Sequence, residues 1–244
     1  MLPYPAMSSA YPPAHSPSSP GAASPFEPLP PSFYRRPSAE VARDLLGRYL
    51  VRTVSGPARG RESGEPSQRL ILRIVETEAY QGEGDRASHA HAGPVTPRSR
   101  RLFRPGGHAY VYLIYGMHHC LNAVTGDDAD GTAVLLRAGE PVEGARRMAE
   151  NRGLADRADK PRRPRPGDLA GGPGKLCQAL AVDLALDGAP LWQGDLVITA
   201  GEPVAEDQVV RGGRVGVDYA GDAAHWPLRF AVRGNRHVSR PRPE

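Results

Sequence analysis

Leu70-Ile-Leu-Arg-Ile-Val-Glu-Thr-Glu-Ala-Tyr80 is an apolar run that delivers two carboxylates and then an aromatic ring. It reads as the first strong strand of the chain. Strand side chains alternate between faces, so Glu76, Glu78 and Tyr80 share one side if the extended geometry continues. A carboxylate held at a strand end beside a ring is what a general base needs to act on a flat substrate. A second aromatic cluster follows further along, Tyr110-Val-Tyr-Leu-Ile-Tyr115. Its alternation puts Tyr110, Tyr112 and Ile114 on one face and Val111, Leu113 and Tyr115 on the other. The two segments together describe a pocket that stacks a planar heterocycle and directs water at it.

Outward from these strands, the chain of 244 residues is long enough for one domain, or one domain with a tail. Residues 1–31 are rich in Pro, Ser and Ala and nearly free of charge, so they read as a disordered leader before a folded unit at 32–244. The leader has neither the basic start nor the continuous apolar stretch of a secretion signal, and nothing in the chain has the apolar length of a membrane span. A cytoplasmic protein is expected, associated with the nucleoid if bacterial. The net charge of +4 permits a nucleic-acid partner without requiring one. Arg98, Arg100, Arg101 and Arg104 cluster in one loop-like stretch, and Arg157 to Arg165 in another that reads as a solvated, mobile loop. Cys120 and Cys177 lie far apart in apolar surroundings and read as buried free thiols, a disulfide being the alternative.

Ser38 followed by Val41, Leu45, Leu46 and Gly47 predicts a short helix with Ser38 as N-cap and Gly47 just past its end. Tyr49 to Val54 predicts a strand, Gly56 to Gln68 a loop, and Gln81 to Gly107 a long loop of the kind that carries function. Ala109 to Val124 predicts a hairpin turning near Tyr115 to His118, and Thr132 to Ala138 a further strand. Pro141 is expected to open a helix with Val142, Ala145, Met148 and Ala149 inward. Gly172-Pro-Gly-Lys175 is expected to open a second helix with Leu176, Ala179 and Leu180 inward, and short strands are expected from Leu196 to Val232. The class is α+β: a single domain with a largely antiparallel curved sheet, or an open β-barrel, with helices packed around it.

Each candidate has a bland alternative. Glu76 and Glu78 could be exposed charges at a strand end, and one of the pair could serve only as partner to an arginine. Tyr110 and Tyr112 could simply fill a core face. Tyr115 stands apart, because an aromatic at a hairpin tip is costly without a partner, and proteins that unstack DNA use such wedges. His89 reads as a pocket-wall imidazole or a loop hydrogen-bonder. His91, His118 and His119 read as surface or strand positions, and no metal-ligand spacing links them. Gly172-Pro-Gly-Lys175 fails the P-loop pattern at Leu169 and Leu176, which leaves a helix start with Lys175 available to a DNA phosphate.

Arg73-Ile-Val-Glu-Thr-Glu-Ala-Tyr80, His89, Thr96-Pro-Arg98, Tyr110 to Gly116 with Asn122, Val134 to Ala138 with Glu140-Pro141, Gly172 to Leu180, Arg214-Val-Gly-Val217 and Pro227-Leu-Arg-Phe230 occur in one order. In that order they resemble the alkyladenine (3-methyladenine) DNA glycosylases, over about Phe33 to Arg236. The resemblance implies a base-excision repair enzyme that flips a damaged purine from duplex DNA and cleaves its N-glycosidic bond. It implies Glu78 as the base that activates water, and Arg137 as a holder of that water or of a phosphate. Tyr80, His89, Tyr112 and Asn122 would form the base pocket, Asn122 disfavouring guanine. Tyr115 would enter the minor groove, with Met117, Thr96, Arg98 and Lys175 also at the DNA. Ser99, Leu102 and Ala231 depart from the family pattern, and the Gly126 to Gly131 turn is longer. No lysine stands where a Schiff base would form, so a monofunctional enzyme is expected, acting as a monomer without cofactor or metal. Two other readings compete: a non-catalytic nucleic-acid-binding module, and a hydrolase of free nucleosides. Engagement of several phosphates would weaken steeply with salt, which separates the DNA-directed readings from the last.

Overall fold

One long strand organises the molecule. The computed structural model describes residues 24–55, 67–91, 96, 99–154 and 164–243. Within them, β1 (Tyr49–Val54), β2 (Gln68–Tyr80), β3 (Ala109–Ile114), β4 (His118–Thr125), β5 (Thr132–Glu143), β6 (Leu196–Thr199), β7 (Val209–Gly212) and β8 (Arg229–Val232) form one curled antiparallel sheet. Its order is β3-β4-β5-β2-β1-β6. β2 pairs with β5 along one edge; on the other edge its first half pairs with β1 and its second half with β8, which also pairs with β7. The helices are short: α1 (Pro31–Tyr34), α2 (Ser38–Asp44), α3 (Ala145–Asn151) and α4 (Pro173–Ala179). The α+β class expected from the sequence is what the chain adopts, as a single domain. No described helix is long and apolar enough to cross a membrane.

The face that β2 presents changes midway. Leu70, Leu72 and Ile74 enter the main core, whereas Val75 enters a separate apolar cluster with Ala138, Val210, Ala231 and Val238. Beyond that point the core face is taken by Ala79, and by Thr77, whose hydroxyl donates to the Ala42 carbonyl of α2 at 2.8 Å. The pairing of β2 with β5 explains the switch. Ile74 pairs with Gly139 and Glu76 with Ala138, so β2 carries an extra residue there. Thr77 then pairs with Leu136, so β5 carries an extra residue at Arg137. These two bulges restore the register and turn Glu76, Glu78 and Arg137 away from the core. Without them Glu76 and Glu78 would continue the row of Leu70, Leu72 and Ile74 into apolar packing.

α2 covers β2 and β5, with Val41, Ala42, Leu45 and Leu46 buried, and α4 covers β4 and β5 with Leu176, Cys177 and Ala179. A fully buried leucine is worth about 1.5–3 kcal/mol, so these short helices are held by packing rather than by intrinsic propensity. Both cysteines are buried and free, and burial, with Cys120 nearby, pushes the Cys177 thiol far up.

Three local readings are corrected. Ser38 does not cap α2: Pro37 occupies the N-cap, and Ser38 is a buried first-turn residue. Pro141 does not open a helix. It pairs with Leu72 inside β5, beside a register shift, the kind of irregular strand position where proline is tolerated. α3 begins only after Gly144, at φ +78°, so Val142 and Ala145 are exposed while Met148 and Ala149 are buried. Of the expected leader, residues 1–23 lie outside the described residues. Residues 24–31 are tied to the edge of β6: Pro28 bridges Thr199, the Leu29 N–H donates to the Ile198 carbonyl at 2.9 Å, and Leu29 is buried. Leu29 is the apolar anchor that the averaged Pro/Ser/Ala composition concealed. Positions 56–66 of the first expected loop, and 155–163 of the basic loop, also lie outside the described residues.

After β2 the chain turns through Gly82 and Gly84 and is tied back by a fully buried ion pair. Asp85 accepts from Arg214 at 2.5 and 2.8 Å, and from the backbone N–H groups of Gln81 and Ala87 at 3.0 and 3.1 Å. Burial raises the Asp85 carboxyl, but the Arg214 guanidinium and the two backbone donors outweigh it and hold the group below its ordinary 3.8. A depressed folded value gives stability that is complete above 3.8 and lost as the pH falls below it. Asp85→Asn is expected to lower stability in urea at neutral pH by about 3–5 kcal/mol, since it leaves a buried guanidinium unpaired. It should also flatten the acid limb of the stability profile. A loss under about 1 kcal/mol would show that the pair does not hold this loop.

Candidate active site

On the sheet face turned from the core, register aligns functional side chains in rows. Tyr110 of β3 pairs with Asn122 of β4, Asn122 with Leu135 of β5, Leu135 with Glu78 of β2, and Glu78 with Arg229 of β8. The next row runs from Val124 through Ala133 to Tyr80. With strands about 4.8 Å apart, Asn122 and Glu78 stand roughly 10 Å from each other across Leu135.

Glu78 is fully buried and anchored on three sides. Its Oε1 accepts from the Val215 N–H at 2.8 Å and lies 3.2 Å from Arg137 Nη1; its Oε2 accepts from the Tyr80 hydroxyl at 3.0 Å. Glu76, also fully buried, accepts from Arg137 Nε at 3.1 Å, from Arg229 at 2.7 Å, and from the Ser239 hydroxyl and N–H at 2.9 and 2.7 Å. Arg137 therefore joins the two carboxylates. Burial pulls its guanidinium down, but Glu78 and Glu76 outweigh that and hold it above its ordinary value. Burial, and then the Glu78 charge, push the Tyr80 phenol well up, so it stays a neutral donor. Of the two carboxylates, Glu76 is the one wrapped in arginines, and Glu78 is the one that meets a tyrosine.

In front of this cluster lies a cavity of about 310 Å³. Tyr80, His89, Tyr112, Asn122 and Arg137 line it; Glu78 sits directly behind the wall made by Tyr80, Arg137 and Val215. Tyr110 and Tyr112 lie 5.4 Å apart, inclined at 34°, and His89 packs edge-on to Tyr112 at 4.6 Å while its Nδ1 meets the Tyr110 hydroxyl at 2.9 Å. The Asn122 amide donates to the Tyr110 carbonyl at 3.1 Å, which fixes its orientation. Arg214, held by Asp85, covers one face of the Tyr80 ring at 4.8 Å. The site thus joins an aromatic slot to a buried, charge-neutralised carboxylate. Among the described residues no group of three or more His, Cys, Asp or Glu is gathered for a metal.

The outer residues are less uniform. Tyr115 and Met117 stand on the β3–β4 turn, 82% and 67% exposed, and Tyr115 also reaches the cavity rim. Thr96 is exposed, and its backbone N–H and hydroxyl engage the Ser99 hydroxyl at 3.1 and 2.9 Å, a local turn bond. Arg98 lies outside the described residues. Lys175 is exposed beside the rim residues Pro173 and Gly174, with its Nζ 3.3 Å from the Gly167 carbonyl. Sequence reasoning missed several wall residues. His118, read as a surface or strand position, lines the cavity. So do Val215, Gly216 and Val217, and Tyr219 forms part of the rim at 68% exposure. Arg214-Val-Gly-Val217 was the available signal, a motif without an evident role until Val215 is seen to bind Glu78.

Residues 32–236 match the model of the methylpurine-DNA glycosylase family. The chain belongs to this family. Relatives provisionally named 3-methyladenine DNA glycosylases agree. One from Methanocella arvoryzae is 46% identical over 216 residues, covering 88% of this chain and 97% of the relative. One from Myxococcus xanthus is 46% identical over 215 residues, covering 88% and 95%. One from Streptomyces avermitilis is 44% identical over 215 residues, covering 87% and 91%. The family match takes in the whole sheet and the cavity, and places the chain among DNA N-glycosylases.

In this glycosylase the β3–β4 turn carries backbone strain at its most exposed residue. Tyr115 is held at φ +53°, a left-handed conformation that a side chain disfavours, and Gly116 follows at +67°. Tyr115→Gly should therefore match or exceed the parent stability in urea, by up to about 1 kcal/mol. A loss larger than that would make Tyr115 part of the folded framework.

Proposed function

We propose that this chain removes alkylated or deaminated purines from duplex DNA by flipping the nucleotide into the aromatic cavity and hydrolysing its N-glycosidic bond with water activated by Glu78. The observation that carries the proposal is the fixed Glu78 carboxylate immediately behind the slot of Tyr80, Tyr110, Tyr112 and His89. An ionised carboxylate offers about four lone-pair sites. Val215 and Arg137 take those of Oε1, and Tyr80 takes one of Oε2. The remaining site on Oε2 is the acceptor for a water O–H. That water would attack the sugar carbon as the bond to the base breaks.

The slot suits the proposed substrate. A purine methylated at N3 or N7 is cationic, which makes it a good leaving group and a good partner for the electron-rich faces of tyrosine rings. Flipping costs a few kcal/mol, and less for a weakly paired base, so damage is favoured before any chemistry occurs. Asn122, tied to the Tyr110 carbonyl, presents a fixed polar edge against which the exocyclic amine of guanine is disfavoured. Tyr115 would occupy the gap left in the stack, with Met117 beside it. Tyr219, on the rim with Tyr115, offers a second aromatic contact to the extruded strand. Lys175 and Arg98 would meet backbone phosphates. Arg137 acts here as counter-ion to the two carboxylates rather than as a phosphate ligand, because its Nε, Nη1 and Nη2 are already engaged.

Glu78→Gln keeps the shape and loses the base. It should bind a lesion-bearing duplex like the parent while excision falls by roughly 10²–10⁴-fold. Release of methylated purines from alkylated DNA, followed in single turnover, measures this. Turnover at the parent rate would remove Glu78 from the mechanism. The enzyme is also expected to be monofunctional, because no lysine is among the described residues that line the cavity. Borohydride added during turnover should trap no covalent protein–DNA adduct, and a trapped adduct would refute the simple hydrolytic route.

A further inference from the structure

Glu76 has no part in the proposed chemistry, yet it accepts hydrogen bonds from Arg137, Arg229 and Ser239. Ser239 is the unexpected member. It lies beyond the residues matched by the family model, which end at 236. Its hydroxyl donates to Glu76 Oε1 at 2.9 Å and accepts from Arg137 Nη2 at 3.2 Å. Its N–H donates to Glu76 Oε2 at 2.7 Å. A hydroxyl is suited to this position because it donates and accepts at once. The segment is held there on both sides of the serine. Val238 is buried with Val75, Ala138, Val210 and Ala231, while Arg229 Nη2 donates to the carbonyls of Ser239 and Pro241 at 3.3 and 2.7 Å.

The contacts form a continuous path: Ser239 to Arg137 Nη2, and Arg137 Nη1 to Glu78 Oε1. We propose that Ser239 is a positioning residue for base excision, fixing the Arg137 guanidinium so that Nη1 presents to Glu78. The inference rests on Glu78 being the general base. Without the serine hydroxyl, Arg137 Nη2 loses its acceptor and the guanidinium is held through Nε and Nη1 alone. The backbone N–H of Ser239 still binds Glu76, so the fold keeps its anchor while the catalytic carboxylate loses definition.

The test compares full-length wild type, Ser239→Ala, Ser239→Thr and Glu78→Gln. Three quantities are read: single-turnover release of methylated purines from alkylated duplex DNA, affinity for a duplex carrying an uncleavable abasic analogue, and thermal midpoint. Ser239→Ala is expected to slow release about ten-fold with affinity changed less than about two-fold, and Ser239→Thr to recover to within about three-fold of wild type. Release by Ser239→Ala at the wild-type rate overturns the inference. So does a joint fall in rate, affinity and midpoint that threonine does not rescue, which is the signature of a loosened fold. Wild-type release by Glu78→Gln, or no release by wild type itself, overturns the reading of the site and the inference with it. Those failures appear in different proteins from a Ser239 failure and are told apart from it.

Discussion

Two carboxylates buried side by side behind the cavity wall must be neutralised in place, and much of this molecule follows from that requirement. Taking an ion out of water costs several kcal/mol, which only close partners offset. Glu76 and Glu78 are balanced by Arg137 and Arg229, so the cluster carries no net charge, and Ser239 and the Val215 N–H fill remaining hydrogen-bond positions. The partners come from β5, from β8, from the segment before Asp218 and from the segment after β8. Strands distant in sequence are thus fastened at one point, and the cavity wall inherits its rigidity from the charges behind it.

The need to keep those charges out of the apolar core explains the least regular part of the sheet. Strict alternation along Leu70 to Glu78 would put leucines and glutamates on a single face. The extra residue in β2 and its counterpart at Arg137 in β5 divide the strands into a core-forming half and a chemical half without losing register. A strand this long with its face exchanged midway serves two structures at once: packing for α2 on one side, and the floor of the cavity on the other.

Much of this was legible in the chain. The strand ending in Glu76 and Glu78, the alternating tyrosines and the hairpin at Tyr115 follow from local periodicity, and β1 and β3 fall within a residue of where periodicity put them. What stayed hidden depends on pairing between distant segments. Compensating bulges leave no mark in either strand alone. Pro141 carries the signature of a helix start, but tertiary pairing with Leu72 decides its place. Which glutamate is wrapped by arginine and serine depends on Arg229 and Ser239, more than 150 residues away in sequence. The walls around Val215 and Tyr219 come from turns without periodicity, so only the fold brings them to the cavity.

A protein that only held DNA would have little use for this arrangement. Carboxylates repel phosphate, and a surface built for affinity would place its cations outward, whereas Arg137 and Arg229 are spent on Glu76 and Glu78. Catalysis gives the cost a purpose. On the proposed reading, a base whose donors are already in place needs no rearrangement when charge develops on the sugar. The strained tyrosine at φ +53° follows the same logic at the rim, where stability is given up so that an aromatic ring stands in the open. On the proposed reading the two features act in concert, since Tyr115 keeps the base out of the helix for as long as Glu78 needs to deliver water to the sugar it leaves behind.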